Sequence, residues 1–91
     1  MTFANAIKAL EKHGHGPMHR DARGIFSRAV GNSIIEIVAC SSGPDYPDGY
    51  DPDSSTIINV RAPHDHSDLQ SDYHAGMFAD SMRQALRWAN A

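Results

Sequence analysis

The chain has 91 residues, 41% hydrophobic and 21% charged, with a formal net charge of −3, and a length of this order holds one core rather than two. Its single cysteine, Cys40, cannot close an internal disulfide, which excludes the cystine-stapled secreted class. No run approaches the roughly 18 apolar residues of a membrane span, and Met1–Lys12 lacks the apolar centre of a signal peptide. One cytoplasmic domain over 1–91, without membrane contact, is expected.

Thr2 is placed to cap a first helix over 2–13, in which Phe3, Ala6, Ile7 and Leu10 recur at helical spacing opposite Lys8, Glu11 and Lys12. Gly14, Gly16 and Pro17 stop it. Met18–Arg23 reads as a polar connector. Strands over 24–30 and 33–41 then flank Gly31-Asn32, a two-residue hairpin signal. The second strand is apolar on both faces apart from Glu36, which suits a central position in a sheet.

Residues 42–55 form the clearest loop, with Gly43, Pro44, Pro47, Gly49 and Pro52 set among four aspartates and two tyrosines. A loop of that length in a compact domain tends to be functional or disordered. A third strand spans 56–62, where Ile58 and Val60 alternate with Asn59 and Arg61, and Pro63 ends it. A second acidic connector covers 64–70. Ser71 or Asp72 then caps a last helix over 72–89, carrying Phe78, Met82, Ala85, Leu86 and Ala89 on one stripe and Arg83 and Arg87 near its end.

The expected fold is α+β: a three-stranded antiparallel sheet with two helices on one face, in the order α-β-β-β-α. Its core would hold Leu10, Ile35, Ile37, Val60, Phe78, Met82 and Leu86. Ile34, Val38 and Ile57 would then point away from the helices, with Cys40, as an apolar patch of the kind that joins copies into a homodimer.

Charge is distributed unevenly. Residues 43–72 hold seven aspartates against one cation, Arg61, while the rest of the chain is mildly basic. Direct nucleic-acid binding requires the opposite sign, because phosphate neutralisation supplies most of its affinity. An acidic stretch carrying tyrosines instead suits a basic, arginine-bearing protein surface, a nucleic-acid-handling host protein for example. The partner-binding set is Asp45, Tyr46, Asp48, Tyr50, Asp51 and Asp53, joined by Asp65 and Asp68.

Six histidines offer an alternative chemistry. His13, His15 and His19 form one group; His64 and His66, with Asp65, Asp68, Asp72 and His74, form another. Imidazoles and carboxylates at this spacing are workable transition-metal ligands, with His64, His66 and Asp68 as the metal set. The segment from His64 begins like the HxHxDH pattern of metallo-β-lactamase-like hydrolases, but Leu69 stands where its last histidine belongs, and the chain is too short for that fold. Surface histidines in polar connectors are the plainer reading, so no metal and no cofactor is expected. Asp48–Asp53 lacks the ligand register of an EF-hand. No nucleophile elbow, phosphate-binding glycine loop or CxxC pair frames a reaction, and Cys40 lies within a strand. No catalytic residue is assigned, and the chain reads as a binding module rather than an enzyme.

The α-β-β-β-α order is shared with double-stranded-RNA-binding domains, but those carry lysines where this chain has Ser71–Gly76. Ser71-Asp72-Tyr73-His74 leading into Phe78, Ala85-Leu86 and Trp88-Ala89 resembles the C-terminal helix of small phage- and plasmid-associated domains found in large polyvalent proteins. That resemblance covers about a fifth of the chain and implies a mobile-element accessory module. The short acidic format is similar to phage-encoded inhibitors of host defence, anti-CRISPR proteins among them.

Overall fold

In the computed structural model, residues 1–21, 24–61 and 76–90 are described. The first helix, α1, runs Phe3–His13. Thr2 caps it, its Oγ1 accepting from the Asn5 amide at 3.2 Å. Phe3, Ala6 and Leu10 share the buried stripe. Among the described residues five strands follow: β1 His15–Arg20, β2 Phe26–Val30, β3 Ser33–Ala39, β4 Thr56–Arg61 and β5 Met77–Ala79. They form one antiparallel sheet in chain order, with β3 at its centre. The last helix, α2, spans Met82–Ala89.

The α+β class, the antiparallel sheet and the two helices agree with the sequence reading; the strand number does not. His15–Arg20 is a strand rather than part of a connector, and it lies on the sheet edge. An edge tolerates Pro17, whose missing N–H would break a central ladder. The pairing register shifts between His15 and His19, and Gly16, at φ 73°, absorbs the irregularity.

Met77–Ala79, assigned to the last helix, instead pairs with β4 through Val60–Met77, Asn59–Phe78 and Ile58–Ala79. The helix begins ten residues later than expected because the better cap is Ser81. Its Oγ accepts from the Gln84 amide at 3.1 Å, and Gln84 Oε1 accepts from the Asp80 amide at 2.8 Å. The run Ser81-Met82-Arg83-Gln84 is thus a capping-box sequence. Residues 62 and 72–75 of the expected third strand and last helix lie outside the described residues.

The core follows from strand parity. Ile35, Ile37 and Ala39 of β3, Ile58 and Val60 of β4 and Val30 of β2 are buried with Phe3, Ala6 and Leu10 of α1 and Met82, Ala85 and Ala89 of α2 in one cluster. Both helices therefore cover the same sheet face. Leu86 only borders this cluster, and Phe78 lies outside it, 71% exposed. The reason is register: Phe78 pairs with Asn59, whose side chain alternates away from the buried Ile58 and Val60.

The two-residue turn at Gly31-Asn32 is also decisive for packing. Gly31 has φ 56°, as the first position of a type II′ turn requires. A Cβ there would stand 2.4 Å from the Ala89 carbonyl oxygen. The Asn32 amide donates to that same carbonyl at 3.0 Å, so the β2–β3 hairpin caps the end of α2. At the other helix, the Arg28 guanidinium donates to the Leu10 and Glu11 carbonyls of α1 and to Gly16.

These burials set opposite outcomes for two phenylalanines. Phe3→Ala should cost about 3–5 kcal/mol, the usual penalty for emptying a fully buried aromatic site. Phe78→Ala, on an exposed edge, should change stability by no more than about 0.5 kcal/mol. Paired denaturant melts of the two variants decide it; similar midpoints would contradict the assigned face of β5.

Candidate functional site

The connection between β3 and β4 is an ordered finger rather than a slack loop. Its two arms are held together by backbone bonds from Cys40 N to Ser55 O at 2.8 Å, Asp51 N to Ser41 O at 2.9 Å and Gly43 N to Gly49 O at 2.9 Å. Inside the tip, the Tyr46 amide donates to Gly43 O and the Gly49 amide to Tyr46 O. The returning arm is tied to α1: the Phe3 and Ala4 amides donate to the Ser54 and Pro52 carbonyls at 2.8 and 2.9 Å. Two of the helix's unpaired N-terminal amides are thereby satisfied. Buried Ser54 adds a hydroxyl bond to the Asp51 carbonyl at 2.9 Å.

Side chains anchor the finger from beneath. The Tyr50 ring meets Phe3 at 4.9 Å and Phe26 at 5.7 Å between centroids, both edge-to-face, and Phe3 meets Phe26 at 5.6 Å. Edge-to-face pairs at these separations add to simple burial. The Arg20 guanidinium lies 5.2 Å from the Phe26 centroid and 5.3 Å from that of Tyr50. Its Nη2 donates to the Asp48 carbonyl at 2.6 Å. The strand edge and the finger tip are thus joined across 28 residues of sequence.

The candidate binding residues divide accordingly. Asp45, Asp48 and Asp53 are exposed on the finger. Asp51 is half-buried, its Oδ1 accepting from the Asp53 amide at 2.9 Å. Tyr46 is half-buried near the tip. Tyr50 packs against the core, so the structure gives it a supporting place rather than that of a free anchor. Asp65 and Asp68 lie outside the described residues. Arg20 drew no notice in the sequence, because its contacts come from a strand edge that the local pattern had not revealed.

The sheet face opposite the two described helices carries the expected oligomer set. Ile34 and Val38 are half-buried there, and Ile57 is 47% exposed beside the exposed Phe78. At its centre Glu36 is engaged: its Oε1 accepts from Asn59 Nδ2 at 3.0 Å and lies 3.1 Å from Arg61 Nε. A shallow open depression of about 450 Å³ borders this group, lined by His15, Pro17, His19, Ser27, Ile34 and Arg61 among others. His15 Nε2 is 3.1 Å from the Gly31 carbonyl. Among the described residues no three His, Cys, Asp or Glu side chains gather as metal ligands. The alternative metal set, His64, His66 and Asp68, lies outside them. No described helix is long and apolar enough to cross a membrane.

No family model, curated protein or solved structure matches the chain.

The place of Tyr50 has a direct consequence for stability. Tyr50→Ala should cost about 2–3 kcal/mol, since it removes a ring packed against two others. Tyr50→Phe keeps all three ring contacts and should melt close to the parent. A Tyr50→Ala variant as stable as the parent in a thermal melt would contradict the aromatic anchor.

Proposed function

We propose that this chain is a protein-binding module that docks its acidic finger on a basic surface of a nucleic-acid-handling host protein and so inhibits it. The observation that carries this reading is that Asp45, Asp48 and Asp53 are exposed on a finger whose arms are held by backbone hydrogen bonds. A surface ordered before contact loses little conformational freedom on binding. Like charges at its tip attract a cationic partner over several ångströms and raise the association rate. A mobile-element inhibitor of host defence, an anti-CRISPR protein for example, is the class of molecule this surface and format suit.

Converting Asp45, Asp48 and Asp53 together to Asn removes charge and keeps the side-chain shape. Asp51 is left intact because its carboxylate supports the Asp53 amide. Association with an immobilised arginine-rich peptide should slow by about tenfold at low ionic strength, and its salt dependence should flatten. Unchanged rate and salt slope would leave the finger as ordinary solvated surface.

A second reading rests on the exposed Ile57 and Phe78 of the sheet face opposite the two described helices. Together with Ile34 and Val38 they give that face apolar surface on either side of Glu36, and a patch that meets its own copy closes two-fold into a dimer. Val38→Glu should convert a sedimenting dimer into monomers without lowering the melting temperature by more than a few degrees. A parent that sediments as a monomer at high concentration contradicts this arrangement.

A further inference from the structure

A finger that displays several aspartates works against its own order, because its charges repel one another. Backbone bonds close its arms, and among the described residues a cation on β1 reaches the tip from the body of the protein. The Arg20 guanidinium sits over both the Phe26 and Tyr50 rings, and its Nη2 reaches the Asp48 carbonyl at 2.6 Å. Phe26 belongs to β2 and Tyr50 to the returning arm, so one planar group joins an edge strand, its neighbour, and the tip and returning arm of the finger. Only a flat, delocalised cation can stack on rings and direct an N–H to a carbonyl at the same time. A lysine ammonium keeps the charge but lacks the plane and the fork.

We propose that Arg20 is the positioning residue of the acidic finger, holding its tip in the one geometry that presents Asp45 and Asp48, above Asp53 at the base, to a cationic partner. The proposal rests on the binding role given above to the finger. It assigns control of that role to β1, which contributes no binding residue. Arg20 acts through the Asp48 carbonyl and the Tyr50 ring, and it makes no contact with the partner.

Two substitutions separate positioning from electrostatics. Arg20→Lys preserves net charge. Arg20→Gln takes the chain from −3 to −4, and steering alone then predicts equal or faster association with a cationic peptide. Positioning predicts the reverse. In both variants the Gly43, Tyr46 and Gly49 amides, whose bonds define the finger, should exchange with solvent at least about tenfold faster. The Ile37 and Ile58 amides in the central strands should keep their protection. Association with the arginine-rich peptide should slow several-fold in both variants.

Parental exchange in the finger amides would overturn the proposal, and so would a loss of protection spread equally through Ile37 and Ile58. Faster finger exchange with undiminished association would overturn it as well. The triple Asn variant of Asp45, Asp48 and Asp53 then shows which reading has failed. If that variant is slow while the Arg20 variants are not, positioning by Arg20 alone is wrong. If it too binds at the parental rate, the finger is not the contact.

Discussion

Everything in this structure depends on the pleat of β3. In that strand Ile35, Ile37 and Ala39 are buried, while Ile34, Glu36 and Val38 alternate to the other side. A two-residue period allows no compromise: a shift of one position would carry the whole buried set to the opposite face. With β3 at the centre, its parity passes through the register to β2 and β4. Val30, Ile58 and Val60 then fall on the helix side, and Ile57, Asn59 and Arg61 on the other. The two described helices cover one face, and both are short enough that packing, rather than intrinsic propensity, holds them.

The same arrangement explains the mixed character of the face opposite the two described helices. Ile34, Val38 and Ile57 give it apolar surface, and Glu36, Asn59 and Arg61 give it a polar centre in which the groups engage one another. A carboxylate held by an amide and a guanidinium on a half-buried surface fixes side-chain geometry more than it adds stability. The face is therefore patterned, with one apolar end near Phe78 and a histidine-lined depression toward β1.

The finger belongs to the helix side. Its returning arm supplies carbonyls to the first amides of α1, and its Tyr50 ring completes an aromatic cluster with Phe3 of that helix and Phe26 of β2. Capping and packing at one place make the finger part of the fold's closure. An acidic surface built this way keeps its charges outside and its aromatic anchor inside. A long Pro- and Gly-rich segment can thus be ordered without regular secondary structure when its ends are paired and its middle is tied to a core residue.

Hydrophobic period, turn residues and the Thr2 cap were enough to reveal α1, the β2–β3 hairpin and β4, because those elements are specified by neighbours in sequence. The charge imbalance of the finger was equally visible, since it is a matter of composition. Edge strands were another matter. β1 carries Pro17 and a glycine, and β5 has three residues; neither repeats a pattern long enough to read, and each exists because an inner strand offers it a ladder. The same holds for Phe78, whose face is set by its partner Asn59 rather than by helical spacing. Tyr50 and Tyr46 look alike in a list of loop aromatics, yet only Tyr50 lies where Phe3 and Phe26 converge. Local chemistry specified the central elements and the sign of the charge. Which aromatic is anchor, which strand is edge and which arginine steadies the finger depended on contacts between residues far apart in the chain, and those exist only once the sheet has closed.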